Sequence, residues 1–187
     1  MNLKKGLSYV AFGFFFTLVN LNLTLNGTTI NVTPDFIGWI LLFLAFVPLG
    51  PYVSDKPILR WLPLVVGVFS AAVWVLSIAK PELDIGFVPT ILTALSAVYM
   101  FLLFGALQRI ARDYASPREG TLGVLRILNP ALEVAFVVVG LLAYYAQSVA
   151  LAGLSAVLGV AALVAAIVTM VVLFRLRSEI SRKLESE

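Results

Sequence analysis

The stretch Ala150–Phe174, ALAGLSAVLGVAALVAAIVTMVVLF, contains no charged residue and decides the class of the fold. A helix needs about 20 apolar residues to cross a hydrocarbon core of about 30 Å, and this stretch is longer than that. It therefore predicts a transmembrane helix.

The composition of the whole chain agrees with a membrane protein. Of its 187 residues, 61% are hydrophobic and 12% are charged, whereas a soluble domain is about half apolar and a quarter charged. The chain has neither cysteine nor histidine, which excludes disulfides, thiol nucleophiles and histidine-based triads or metal sites. We therefore predict no catalytic residue, no metal site and no cofactor, and we expect that the protein is not an enzyme.

Five further apolar stretches predict a single all-α transmembrane domain over residues 1–187, with about six membrane-spanning helices. The predicted spans are 7–19, 36–53, 61–79, 87–107, 128–147 and 150–174. The segment Leu59–Pro63 resembles Leu125–Pro130, and each opens a helix that is followed by a returning one. We therefore predict three helical hairpins, which is consistent either with parallel repeats of the kind that occur in transporters or with simple duplication of a stable hairpin.

Lysine and arginine accumulate in cytoplasmic segments, so their distribution predicts the orientation. With both termini inside, 12 of the 13 basic residues are cytoplasmic and Lys80 alone is outside. The tail 175–187 is then a cytoplasmic helix. An alternative is that Lys4, Lys5 and the short first span form a cleaved signal peptide.

Residues 20–33 predict a small extracellular β-hairpin. Polar and apolar residues alternate along this segment, and Asn26-Gly27 is typical of a two-residue type I′ turn. Such a turn gives the pairs Leu25–Thr28, Thr24–Thr29, Leu23–Ile30, Asn22–Asn31, Leu21–Val32 and Asn20–Thr33. The alternative is that the first helix continues to about Leu25.

The same outer segment contains a candidate polar site made of Asn20, Asn22, Asn31 and Asp35. The segment Thr33-Pro34-Asp35 also fits a helix start, with Thr33 as N-cap and Asp35 near the positive end of the helix dipole. Asp35 is thus explained either by helix capping or by binding of a cation or polar ligand.

The segment Asn31–Ile40, NVTPDFIGWI, resembles small multi-spanning membrane proteins of Gram-positive bacteria that carry an N-x-x-P-D-F-I-G-aromatic segment after their first span. The likeness covers about residues 7–50. It implies a bacterial plasma-membrane protein and no catalytic residue, because no activity is established for that group.

Glu133 is the candidate intramembrane polar site, since an ionisable residue at membrane depth is costly to bury. The alternative is structural: Asn129 as N-cap, Pro130 in the first helical position and Glu133 in the first turn, close to Arg126 or Arg60. Asp35, Asp84 and Glu133 are expected at opposite membrane faces, which argues against an intramembrane enzyme.

Three classes of function remain compatible with these patterns. The first is a membrane component that binds lipids, a partner membrane protein or a second copy of itself, without nucleic acid. The second is a small transporter or channel for a solute or lipid, and the third is an intramembrane enzyme. The absence of visible catalytic chemistry favours the first, and a continuous polar path past Glu133 would favour the second.

Overall fold

A computed structural model describes residues 2–18, 22–25, 28–31, 35–53, 56–80 and 87–186. Its described part contains six α-helices: α1 (Asn2–Leu18), α2 (Phe36–Leu49), α3 (Lys56–Ala79), α4 (Val88–Asp113), α5 (Glu119–Ala146) and α6 (Val149–Ser186). A short 3-10 turn, Gly50–Tyr52, follows α2. Four helices, α3 to α6, are long and apolar enough to cross a membrane. The chain therefore has the architecture of a membrane protein.

Between α1 and α2, strands β1 (Asn22–Leu25) and β2 (Thr28–Asn31) pair in antiparallel orientation. Asn22 lies opposite Asn31, and Leu25 lies opposite Thr28. Residues 22–25 are therefore extended, and the alternative of a first helix that continues to Leu25 is wrong. The turn residues 26 and 27, and the segments 19–21 and 32–34, lie outside the described residues.

The predicted fold class, about six membrane-spanning helices with an extracellular β-hairpin, needs correction, because only four of the six described helices are long and apolar enough to cross a membrane. Helices α1 and α2 have only 17 and 14 residues. A β-hairpin as a separate extracellular part of the fold is not supported. The two paired strands have four residues each, and neither their turn nor their side chains are described.

The helices also do not form three equivalent hairpins. Helix α1 packs closely on α2, and α5 packs closely on both α4 and α6, whereas α3 touches α4 only lightly and packs mainly on α2. Helix α6 also contacts α1, so the six helices form a ring in the order α3, α2, α1, α6, α5, α4. The resemblance between Leu59–Pro63 and Leu125–Pro130 therefore does not produce equivalent helix pairs.

The connection between α4 and α5 is much shorter than the sequence suggested, because both helices extend through their basic segments. Only residues 114–118 separate them. Ala115 has a φ of 45°, and the Ser116 N–H bonds to the Ala111 carbonyl at 2.8 Å, which is the usual way to end a helix in the left-handed conformation. The α5–α6 turn ends α5 similarly at Gln147, with a φ of 47°.

The N-terminal part of α1, the α4–α5 turn and the C-terminal part of α6 meet at one end of the bundle, here called the basic end. Lys4 forms an ion pair with Glu185 at 3.1 Å, and Arg118 forms one with Glu179 at 3.0 Å. Partial burial raises the pKa of Glu179, but hydrogen bonds from Ser116 and Arg118 outweigh burial and hold this pKa below its usual range. These contacts anchor the turn to α6.

Helices α1 and α2 approach each other so closely that their backbones touch at two glycines. A Cβ atom on Gly38 would lie 2.6 Å from the Gly13 carbonyl oxygen, and one on Gly13 would lie 2.9 Å from the Gly38 carbonyl oxygen. Small residues permit this kind of approach between helices in membranes. The contact fixes how far α2 is displaced along α1.

We expect Gly38→Ala to lower the free energy of unfolding by about 1–3 kcal/mol, because the added methyl group forces two backbones apart. The matched control is Gly153→Ala on α6, where nothing lies within 4 Å of the added atom and alanine favours the helix by up to about 1 kcal/mol. Thermal unfolding in detergent measures both changes. An equal response of the two variants would contradict the close contact.

Candidate functional site

The ring of helices is packed in one half and hollow in the other. In the described part of α5, the buried residues are Leu122 and Leu125, both towards the basic end. The buried residues of α4 likewise begin at Ala97 and continue towards the basic end, as Leu103, Phe104 and Leu107. The opposite half therefore lacks a filled core.

The hollow half contains a cavity of about 490 Å³ that side chains from all six helices line. Along α3, the lining extends from Val66 to Ser77, a length of about 16 Å at 1.5 Å per residue. The polar lining consists of Thr17, Asp35, Ser70, Ser77, Thr93, Ser96, Asn129 and Glu133. The volume lies within the range of about 300–1,000 Å³ that is typical of small-molecule sites.

The floor of the cavity is an aromatic layer at the boundary with the packed half. Phe14 and Trp39 line the cavity, and each meets a fully buried ring of α4 edge to face. Phe14 lies 5.9 Å from Phe104, and Trp39 lies 5.5 Å from Tyr99, between ring centroids. On the side of α1, α2 and α4, these rings lie between the cavity and the packed half.

Asp35 lies on the wall of this cavity, at the N-cap position of α2. It immediately precedes the helix, but its side chain makes no capping hydrogen bond. Its Oδ1 atom is buried and has no hydrogen-bond partner among the described residues. Asp35 therefore lies near the positive end of the α2 dipole, as expected, but without a capping hydrogen bond. Thr33 and Pro34, the other residues of the expected helix start, lie outside the described residues.

Glu133 also lines the cavity, and its expected position in the first turn of a helix is wrong. Helix α5 begins at Glu119 and continues through Pro130, so Glu133 lies in the middle of the helix rather than in its first turn. Proline has no N–H to bond the preceding turn, yet membrane helices tolerate it where the neighbouring structure compensates. Ser96 of α4 lies beside the Glu133 side chain.

The residues that were expected to support Glu133 have other partners. Asn129 is not an N-cap, and its amide donates to Thr169 of α6 at 2.8 Å. The Arg126 guanidinium lies over the Phe101 ring at 4.1 Å, and Arg60 lies over Phe43 and Trp61. Neither arginine is part of the cavity lining.

Asp35 and Glu133 lie at nearly the same depth, although the sequence suggested opposite membrane faces. Trp39 and Tyr99 are level because their rings touch. Asp35 precedes Trp39 by four residues, so it lies about 6 Å beyond Trp39 in the direction away from the basic end. Ser96 precedes Tyr99 by three residues, so it lies about 4.5 Å beyond Tyr99 in the same direction. Since Ser96 lies beside Glu133, the two carboxyl groups differ in depth by less than about one helical turn.

The remaining members of the predicted outer site are not brought to the cavity by any described contact. Asn22 and Asn31 lie opposite each other in β1 and β2, but their side chains are not described. Asn20 and Asp84 lie outside the described residues.

The sequence contained a signal for the missed lining residues. Ser70, Trp74 and Ser77 are spaced by four and three residues in an otherwise apolar helix, and Asn129 and Glu133 are spaced by four. Such spacing places polar groups on one helix face. A search for polar stripes on α3, α4 and α5 would have found most of this cavity.

The comparisons with known proteins give no family for this chain. No family model matches the sequence, and no match was found among the curated proteins or the solved structures. The described residues also contain no group of three or more acidic side chains that could hold a metal ion. The geometry of the cavity is therefore the basis for assigning a function.

Substitution of Tyr99 tests whether its hydroxyl has a hydrogen-bond partner, such as water, below the floor of the cavity. Its side chain is fully buried, and its hydroxyl has no hydrogen-bond partner among the described residues. We expect Tyr99→Phe to leave stability unchanged or to raise it by about 1–3 kcal/mol, since it removes an unsatisfied buried group. Tyr99→Ala should lower stability because it leaves a void below Trp39. Thermal unfolding of both variants checks this, and a marked loss in Tyr99→Phe would show that the hydroxyl is bonded.

Proposed function

We propose that this protein is a small carrier of the plasma membrane that binds a solute inside its helix bundle. In this proposal it has several membrane spans, both termini are cytoplasmic, and the cavity opens to the extracellular side. The resemblance of residues 7–50 to membrane proteins of Gram-positive bacteria belongs to the same proposal.

The observation that supports a carrier is the division of the bundle into a hollow polar half and a packed apolar half. An open channel needs a continuous polar path, whereas here the rings of Phe14, Trp39, Tyr99 and Phe104 lie at the floor of the cavity on the side of α1, α2 and α4. Behind these rings, the residues of α4 towards the basic end are buried and apolar, as Leu103 and Leu107 show. A cavity closed at one side suits a site that is exposed alternately to the two sides of a membrane.

The lipid-binding or partner-binding interpretation explains less of the structure. A surface that docks a partner does not need carboxylates inside the bundle, and burial of Asp35 and Glu133 is costly without a function. The prediction that the protein is not an enzyme stays a prediction. The two carboxylates share one cavity, but the function proposed here requires no reaction.

The absence of native cysteine allows single-cysteine labelling to test this proposal. We expect Ser96→Cys, in the cavity, to react with a small membrane-impermeant thiol reagent added in separate experiments to either side of the membrane. A thiol reacts as the thiolate in water, so reaction from both sides requires two water-filled conformations. Labelling is measured by mass shift in oriented membrane vesicles.

Two controls establish the sidedness of the vesicles and the orientation of the chain. Val149→Cys, at the exposed start of α6, should react from outside only, while Gly120→Cys, at the exposed start of α5, should react from inside only. Reaction of Ser96→Cys from the outside alone would identify a fixed binding pocket and overturn the carrier proposal. Failure to react from either side would also overturn it.

A further inference from the structure

The cavity has a negative electrostatic character. It contains two carboxyl groups, those of Asp35 and Glu133, and none of its described lining residues is lysine or arginine. Interactions between charges are several times stronger in a low-dielectric bundle than in water. A solute with a positive charge is therefore favoured there, and a solute with a negative charge is excluded.

The two carboxylates are placed to act on one bound molecule. Asp35 belongs to the start of α2 and Glu133 to the middle of α5, yet both lie at nearly the same depth in the cavity wall, as the Trp39–Tyr99 and Ser96–Glu133 contacts require. The Oδ1 atom of Asp35 has no partner among the described residues.

Aromatic side chains form much of the remaining lining. Trp39, Trp74, Phe14 and Phe136 all contribute to it. The face of an aromatic ring, and of tryptophan above all, attracts a cation within about 6 Å of its centre. The same rings provide apolar contact for an organic body.

The size of the cavity separates an organic cation from a metal ion. A volume of about 490 Å³ corresponds to roughly 16 water molecules at about 30 Å³ each. A metal ion with its ligands would fill a small part of this space, and metal coordination by two carboxylates would leave the aromatic walls unused. A bulky organic cation would use both.

From these features we infer that the solute of this cavity is a lipophilic organic cation, with its positive charge between Asp35 and Glu133 and its apolar part against Trp39 and Trp74. This inference rests on the proposed carrier function, because it names the class of solute that the same cavity binds.

The test compares two ions of the same shape and opposite charge. Tetraphenylphosphonium and tetraphenylborate are titrated into the protein in lipid nanodiscs, with empty nanodiscs as the blank. Binding is measured by the emission of Trp39 and Trp74 in a Trp61→Phe background, since these are the chain's three tryptophans. We expect saturable binding of the phosphonium and at least 100-fold weaker binding of the borate.

Charge-removing variants locate the site. Glu133→Gln and Asp35→Asn should each raise the Kd of tetraphenylphosphonium at least tenfold, and the amide introduced by Glu133→Gln retains an oxygen that can accept a hydrogen bond from Ser96. The matched control is Glu119→Gln, which removes the same charge from the ion pair with Arg112 at the basic end and should leave the Kd unchanged. Thermal unfolding verifies that each variant is folded.

Equal affinity for the two ions, no binding of the phosphonium, or an unchanged Kd in both cavity variants would each overturn the inference. If a cavity variant fails to fold, the comparison of the two ions on the wild-type chain still tests the inference. If Ser96→Cys is labelled from both sides but phosphonium does not bind, only the inference that the solute is an organic cation is rejected. If Ser96→Cys is not labelled from both sides, the proposed carrier function is rejected.

Discussion

The backbone contact between Gly13 and Gly38 is the constraint on which the cavity depends. A Cβ atom built on Gly38 would lie 2.6 Å from the Gly13 carbonyl oxygen. This close approach fixes the position of α2 along the axis of α1. That position brings Trp39 onto Tyr99 and places Asp35 well inside the bundle. Helix α3 continues for about 18 Å beyond Gly67, the residue that contacts Trp39. The short helices thus create the hollow half.

The sequence predicted where the helices lie along the chain better than how deep each residue lies in the bundle. Apolar runs and basic residues are local signals, and they indicated a membrane bundle from composition and spacing alone. The depth of Asp35 depends on a contact between two glycines 25 positions apart, and nothing local encodes it. The same holds for Glu133, since Asn129 and Pro130 resemble a helix start until α5 is seen to begin at Glu119.

The hollow half follows from the side chains available to fill it. Serine and threonine at positions 70, 77, 93 and 96 are small, and Ala162 and Ala166 form the α6 wall. In the packed half, leucine and phenylalanine fill the same interhelical space, as Leu103, Phe104 and Leu107 show. Association of helices in lipid depends on close packing rather than on the hydrophobic effect. Leaving one half of the bundle unpacked therefore lowers its stability. This cost is consistent with a half that must leave room for a bound molecule.

The segment Asn31–Ile40 shows why the cavity, rather than the outer surface, is the better candidate for function. Asp35 and Trp39 line the cavity, Phe36 packs on Trp74 with 5.7 Å between ring centroids, and Gly38 allows the close approach to α1. Four of the residues in this segment therefore shape one cavity wall or hold it in place. A segment that served a partner on the surface would need exposed side chains at these positions, yet Gly38 and Trp39 are buried. The residue types at positions 35, 36, 38 and 39 are explained by the cavity wall that they form or support.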